Sequence, residues 1–163
     1  LHEGDLVNID VSASKNGYFA DTGISFVVGE GAEVLTKLCD VAKKAFEAGL
    51  EKAKPGSKKS RIGKAVFETA RQHGFTVIKN LTGHGIVRRI HEAPDHILNY
   101  NDPWDNEILK EGMVIAFEPF ISTLEEEVFQ KEDGWTYATE KSYVAQLEHT
   151  IILTKNDPII VTL

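Results

Sequence analysis

Residues 5–31, "DLVNIDVSASKNGYFADTGISFVVGEG", decide the fold. Apolar and polar residues alternate along both arms, which is the period of a half-buried strand. Between the arms, Asn16-Gly17 is the dipeptide that favours a tight primed turn. A two-residue turn there makes opposed positions sum to 33, so Asp10 faces Gly23 and Ser12 faces Asp21. Asp10 and Asp21 then become diagonal neighbours on one face, roughly 5–8 Å apart. Two like charges that close are unfavourable unless a cation lies between them.

Beyond this hairpin the period turns helical. Leu35, Leu38, Ala42, Ala45, Phe46 and Leu50 form one apolar stripe within a predicted helix over 33–54, and Pro55-Gly56 ends it. A second amphipathic helix is expected from Ser60, read as its N-cap, through Ile62, Val66 and Ala70 to Gly74. "FTVIKN" (75–80) reads as a short strand and "MVIAFEP" (113–119) as a strand ending at Glu118-Pro119. A hairpin bend is placed at Asp133-Gly134, and "SYVAQLEHTIILT" (142–154) reads as a long strand. "PIIVTL" (158–163) supplies a last one. This order predicts one α+β domain over 1–163, with helices covering one face of a mostly antiparallel sheet.

Bulk properties narrow the function. The chain has 163 residues, 42% of them hydrophobic, and a net charge of -7 with no long basic run, which argues against a nucleic-acid surface. No stretch reaches the roughly 20 apolar residues of a membrane span. Cys39 is the single cysteine, so there is no disulfide framework; it reads as a small buried helix residue, and the location as cytoplasmic. Nothing demands more than a monomer.

Five residues could carry chemistry: Asp10, Asp21, His84, Glu118 and Glu148. Any one of them alone is an ordinary solvated or salt-bridged edge residue. Together, four acids embedded in apolar strands need positive charge, and the basic residues lie mostly on helices and loops. A pair of divalent ions would supply it. Four carboxylates and one imidazole suit the harder first-row ions Mn²⁺, Fe²⁺ or Co²⁺, with Zn²⁺ also accommodated. Bridging carboxylates can hold two such ions about 3.5–4 Å apart.

The order Asp10, Asp21 eleven residues on, "GHGI" with His84, "FEP" with Glu118 and "QLEHT" with Glu148 resembles the type I, bacterial-like methionine aminopeptidases of the pita-bread fold. "VNIDV", "ADTG", "KPG", "HEAP", "EGMV" and "DGW" extend the likeness along the whole chain. The resemblance implies a metallopeptidase that removes N-terminal methionine from peptides and nascent chains, at the ribosome among other places, when the second residue is small. It implies that Asp10 chelates one ion, that Asp21 and Glu148 bridge both, and that His84 and Glu118 complete the other. Glu118 would also shuttle the proton. His91 would donate a hydrogen bond to the substrate carbonyl or oxyanion, while Ile90 and Trp135 would wall the methionine pocket. The family's helices ahead of the first aspartate have no counterpart here, which implies an incomplete N-terminal half. Val87 stands where the family has glycine; if that glycine needs positive φ, the loop from His84 to His91 must be rebuilt. Gly83 and Gly85 are read as serving a tight turn around His84. Two other readings are a proline-directed aminopeptidase or dipeptidase and a pita-bread binding module that has lost catalysis.

Overall fold

The computed structural model describes residues 1–163. Strands β1 (Leu6–Lys15) and β2 (Tyr18–Val27) form the expected hairpin, and Asn16 and Gly17 turn it with φ of 54° and 76°. Asp10 pairs with Gly23 and Ser12 with Asp21, the register that the turn dictates. Then follow α1 (Glu33–Leu50), α2 (Ser60–Gln72), β3 (Thr76–Val77), β4 (Gly83–Gly85) and β5 (Glu92–Ile97). After them come β6 (Val114–Phe117), β7 (Phe120–Ser122), β8 (Phe129–Gln130), β9 (Tyr137–Ala138), β10 (Val144–Ile152) and β11 (Ile159–Ile160).

The main sheet runs β1-β2-β10-β6-β4-β5, with every neighbouring pair antiparallel. Strand β7 extends β10's pairing and carries β3, while β8 and β9 form a separate small hairpin. Helix α1 buries Leu38, Ala42, Ala45 and Phe46 against one face of this sheet. Phe46 stacks on Phe117 at 5.0 Å and meets His149 edge-on at 5.4 Å. Because side chains alternate along a strand, Phe117 and His149 turned toward α1 leave Glu118 and Glu148 on the opposite face. The strand period thus separates an apolar, helix-covered side from an acidic one.

Local corrections concern ends of elements. Helix α1 stops at Leu50, four residues before the position expected. The next N–H groups, of Lys52 and Ala53, fold back onto the carbonyls of Gly49 and Leu50. Pro55 disfavours helical backbone at Lys54, so the unwinding begins upstream of it. Ser60 is the first helical residue and makes no capping bond; Lys59 is the N-cap. The "FTVIKN" strand shrinks to Thr76–Val77, paired with Ser122 and Ile121. Gly74, with φ of 84°, follows α2 as predicted. No helix is long and apolar enough to cross a membrane.

Candidate metal centre

The antiparallel registers place the candidate residues on adjacent rungs of the acidic face. Glu148 pairs with Gly23, which pairs with Asp10. Continued one step beyond His149↔Phe117, the β10–β6 register sets Glu148 opposite Glu118. One rung along, Ser12 pairs with Asp21, Thr150 with Ala116, and Ala116 with His84. Residues separated by up to 138 positions in the chain therefore converge within two rungs. Asp21, His84 and Glu148 are all buried, and their ligand atoms lie within 4.8 Å of one another.

Backbone and hydroxyl contacts fix this cluster. Thr150 Oγ1 accepts the Asp21 N–H at 2.8 Å and donates to the Asp21 carbonyl at 2.9 Å. Ser12 Oγ and the Thr22 N–H both donate to Asp21 Oδ1, at 3.0 and 3.1 Å. Gly83 and Gly85, expected to serve a tight turn, do something else. Neither has positive φ; both sit in β4, hemmed in by its neighbours. A Cβ on Gly83 would lie 2.4 Å from the Ala116 carbonyl oxygen, and one on Gly85 2.2 Å from that of Ala93. The glycines let neighbouring backbone press close on both sides of His84. Val87 lies in ordinary backbone, since Asn16 is the only residue other than glycine with positive φ. Its carbonyl accepts the Phe19 N–H at 2.9 Å, which ties the loop to the hairpin.

Left without a cation, this cluster retains protons. Burial, then the nearby Asp10 and Asp21, push the Glu118 carboxyl up to about 9. Burial, then Glu118, Asp10 and Asp21, push Glu148 up to about 10. Asp10, an exposed residue at the rim of the centre, is raised as well, chiefly by the partial desolvation of its carboxyl, against the opposing hydrogen bond from Gln146. Burial holds His84 below the usual imidazole range, so its ring is neutral. Nδ1 of His84 lies 3.0 Å from the Gly85 carbonyl, which can only accept, so Nδ1 carries the proton and Nε2 keeps a lone pair. That lone pair points at Glu118 Oε1, 3.4 Å away. Without metal, the proton that the raised Glu118 carboxyl retains can sit between the two atoms; a divalent ion would replace it and leave both as ligands. A divalent ion fits this set of carboxylate oxygens and one imidazole nitrogen oriented by a carbonyl on its far side.

The other expected site residues lie around this centre. His91 is exposed, with its ring 4.1 Å from that of His84, centroid to centroid. Ile90 is half-buried next to it. Trp135 stands 87% exposed in the bend between β8 and β9, outside the cluster. A cleft of about 640 Å³, lined by Leu6, Asn8, Tyr137, Tyr143 and Gln146 among others, opens at the Gln146 end of the centre. Sequence reading passed over Gln146. Its Nε2 donates toward Asp10, Glu118 and Glu148 at 3.2–3.3 Å. The signal that could have found it is the strand period, because Gln146 lies two residues before Glu148 on the same strand and so shares its face.

Comparison with known proteins agrees with this chemistry. Residues 1–155 match the model of metallopeptidase family M24. Methionine aminopeptidase 2 of Bacillus subtilis is 60% identical over 163 residues, covering 99% of this chain and 66% of that protein. A methionine aminopeptidase of Staphylococcus epidermidis is 61% identical and is covered over 65% of its length, so the chain spans about two thirds of such relatives. Among solved structures, methionine aminopeptidase from Thermotoga maritima matches with a TM-score of 0.93 at 38% identity, over 98% of this chain and 64% of that one. Prolidase from Pyrococcus furiosus matches with a TM-score of 0.79 at 28% identity, over all of this chain and 42% of that one. The expected pita-bread fold is therefore the one observed. With acids meeting across a sheet where only a cation could hold them ionised, and with a family model matched from the first residue to the 155th, the chain belongs to metallopeptidase family M24.

Proposed function

We propose that the protein carrying this chain is a metal-dependent aminopeptidase that removes N-terminal methionine from peptides with a small second residue. Two divalent ions would be held by Asp10, Asp21, His84, Glu118 and Glu148, with residues 1–163 acting as its catalytic domain. The observation that carries this reading is the buried group of Asp21, His84 and Glu148, whose ligand atoms lie within 4.8 Å of one another, with Glu118 Oε1 3.4 Å from His84 Nε2. Identity of 60% to a methionine aminopeptidase, against 28% to a prolidase, favours methionine over proline as the recognised feature. When bound, the ions would activate a water and polarise the scissile carbonyl, a general property of two-ion hydrolytic sites, aminopeptidases among them.

The chain's own groups account for the proton traffic. Glu118, desolvated and at the edge of the cluster, would take a proton from the attacking water and deliver it to the leaving amine. His91, exposed beside His84, would donate a hydrogen bond to the oxygen that gains charge in the transition state. The 640 Å³ cleft beyond Gln146 has room for a methionine side chain. Ile90 and Trp135 would border it only if their loops approach the substrate.

The test is an assay of the protein on Met-Ala-Ser and on an Ala-Pro peptide with Mn²⁺ or Co²⁺. Methionine release that is lost in Glu118→Ala supports the reading. Cleavage only before proline, or equal release by both proteins, contradicts it.

A further inference from the structure

Next to the acidic rung lies a rung of uncharged polar residues: Asn8 pairs with Ser25, and the β2–β10 register continued one residue beyond Leu147↔Ile24 sets Ser25 opposite Gln146. The Gln146 backbone N–H donates to Ser25 Oγ at 2.9 Å, which occupies a hydroxyl lone pair and leaves the hydroxyl proton free. That proton goes to Asn8 Oδ1 at 3.0 Å, so Asn8 must turn its NH₂ the other way. Asn8 Nδ2 donates to Gln146 Oε1 at 2.7 Å. With its oxygen so engaged, Gln146 can present only its NH₂ to Asp10, Glu118 and Glu148, at 3.2–3.3 Å. Each bond in this circuit determines the orientation of the next.

Gly23 makes the arrangement sterically feasible. It stands between Asp10 and Glu148 in the acidic rung, where a Cβ would lie 2.9 Å from Glu148 Oε2 and 3.0 Å from Gln146 Oε1. The missing side chain is the space into which the glutamine amide and the glutamate carboxylate fold.

We propose that Ser25, Asn8 and Gln146 form an orienting relay in which Gln146 is a positioning residue for the metal-binding carboxylates and Asn8 decides which face of its amide they meet. The proposal rests on the metal centre proposed above. An amide turned the other way would set a fourth oxygen against three carboxylates; the NH₂ instead shares its two hydrogens among one oxygen of each, while Glu118 Oε1 faces His84. Outer-shell partners of this kind typically change metal affinity about 10–100-fold when removed.

Asn8→Asp separates this idea from simple electrostatics, because the substitution is nearly isosteric. An added negative charge by itself would tighten cation binding. In the relay, the carboxylate so introduced cannot donate to Gln146 Oε1, the amide loses its orientation, and Mn²⁺ binds about 10–100-fold more weakly. The experiment is Mn²⁺ titration calorimetry on the wild type, Asn8→Asp, Gln146→Ala and the double variant. The expected result is weaker binding in each, with Asn8→Asp adding nothing once Gln146 is gone. Tighter binding in Asn8→Asp, or losses that add in the double variant, would overturn the relay. A second measurement needs no metal: solvent exchange of the Gln146 side-chain amide protons by NMR, slow in the wild type and fast in Asn8→Asp. Slow exchange in a wild type that binds no Mn²⁺ would refute the metal centre and leave the hydrogen-bond circuit standing. Fast exchange in a wild type that does bind Mn²⁺ would refute the circuit alone.

Discussion

The two halves of the main sheet are built from similar strands and treated very differently. Strands β10 and β6 lie under α1, where Ile115, Phe117 and Ile151 are at most 1% exposed. On the β1–β2 hairpin, Ile9, Val11 and Ile24 share a face by the register and remain 50%, 51% and 42% exposed. Yet the candidate centre draws from both halves, with Glu118 and Glu148 from the covered one and Asp10 and Asp21 from the hairpin. The covered half is closely packed. The hairpin is tied to it by polar contacts: Thr150 to the Asp21 backbone, Thr22 Oγ1 to the Glu148 carbonyl at 3.0 Å, and Gln146 to Asn8. A metal centre spanning this seam would join a region buried under a helix to one whose outer apolar face is open.

This contrast can be broken deliberately. The largest effect belongs to the covered side: Phe117→Ala should cost about 3–5 kcal/mol in urea unfolding, because it opens a cavity beneath Phe46 in a tightly packed core. A loss below about 1 kcal/mol would mean that α1 does not brace the acidic strands.

Protons act on the seam next. Without metal, folded Glu118 and Glu148 titrate at about 9 and about 10, whereas the unfolded chain releases those protons near 4.5. The folded state therefore binds more protons across that interval, and stability must fall as pH rises from about 5 toward 9. In chelator, the unfolding free energy from urea titration should drop over this range, by an amount on the order of a few kcal/mol, and Mn²⁺ should reverse the drop by binding the folded state. A free energy that is flat or that rises with pH would show the carboxylates to be already compensated.

Thr150→Val tests the polar stitching. It leaves the buried Asp21 N–H and carbonyl without their partner, at a cost of about 1–3 kcal/mol in urea unfolding. Val11→Thr, on the uncovered face, should change stability by no more than about 0.5 kcal/mol. A larger loss there would mean that the hairpin face is packed in solution.

The parts of this architecture legible in the sequence are those set by short-range rules. Asn16-Gly17 fixed a turn, the turn fixed a register, and the register put Asp10 and Asp21 on one face. The apolar period likewise found both helices. Helix ends were less legible, because the unwinding after Leu50 is driven by Pro55 five residues downstream. The function of Gly83 and Gly85 was hidden altogether, since strands β5 and β6 that crowd them come from elsewhere in the chain. Gln146 was legible in principle, two residues from Glu148, but uncharged residues attract no notice until a structure shows what they face. Trp135, assigned to a pocket wall by motif alone, stands in solvent on its hairpin bend, where the strand and helix periods say nothing of what it meets.

The most direct measurement is Mn²⁺ binding by calorimetry to the protein and to its Asp21→Asn and Glu148→Gln variants. If buried acids from both halves of the sheet meet around a divalent cation, the wild type binds Mn²⁺ and each variant loses more than about 100-fold in affinity, beyond what outer-shell partners typically cost. Absence of binding, or binding unchanged in both variants, would contradict the account.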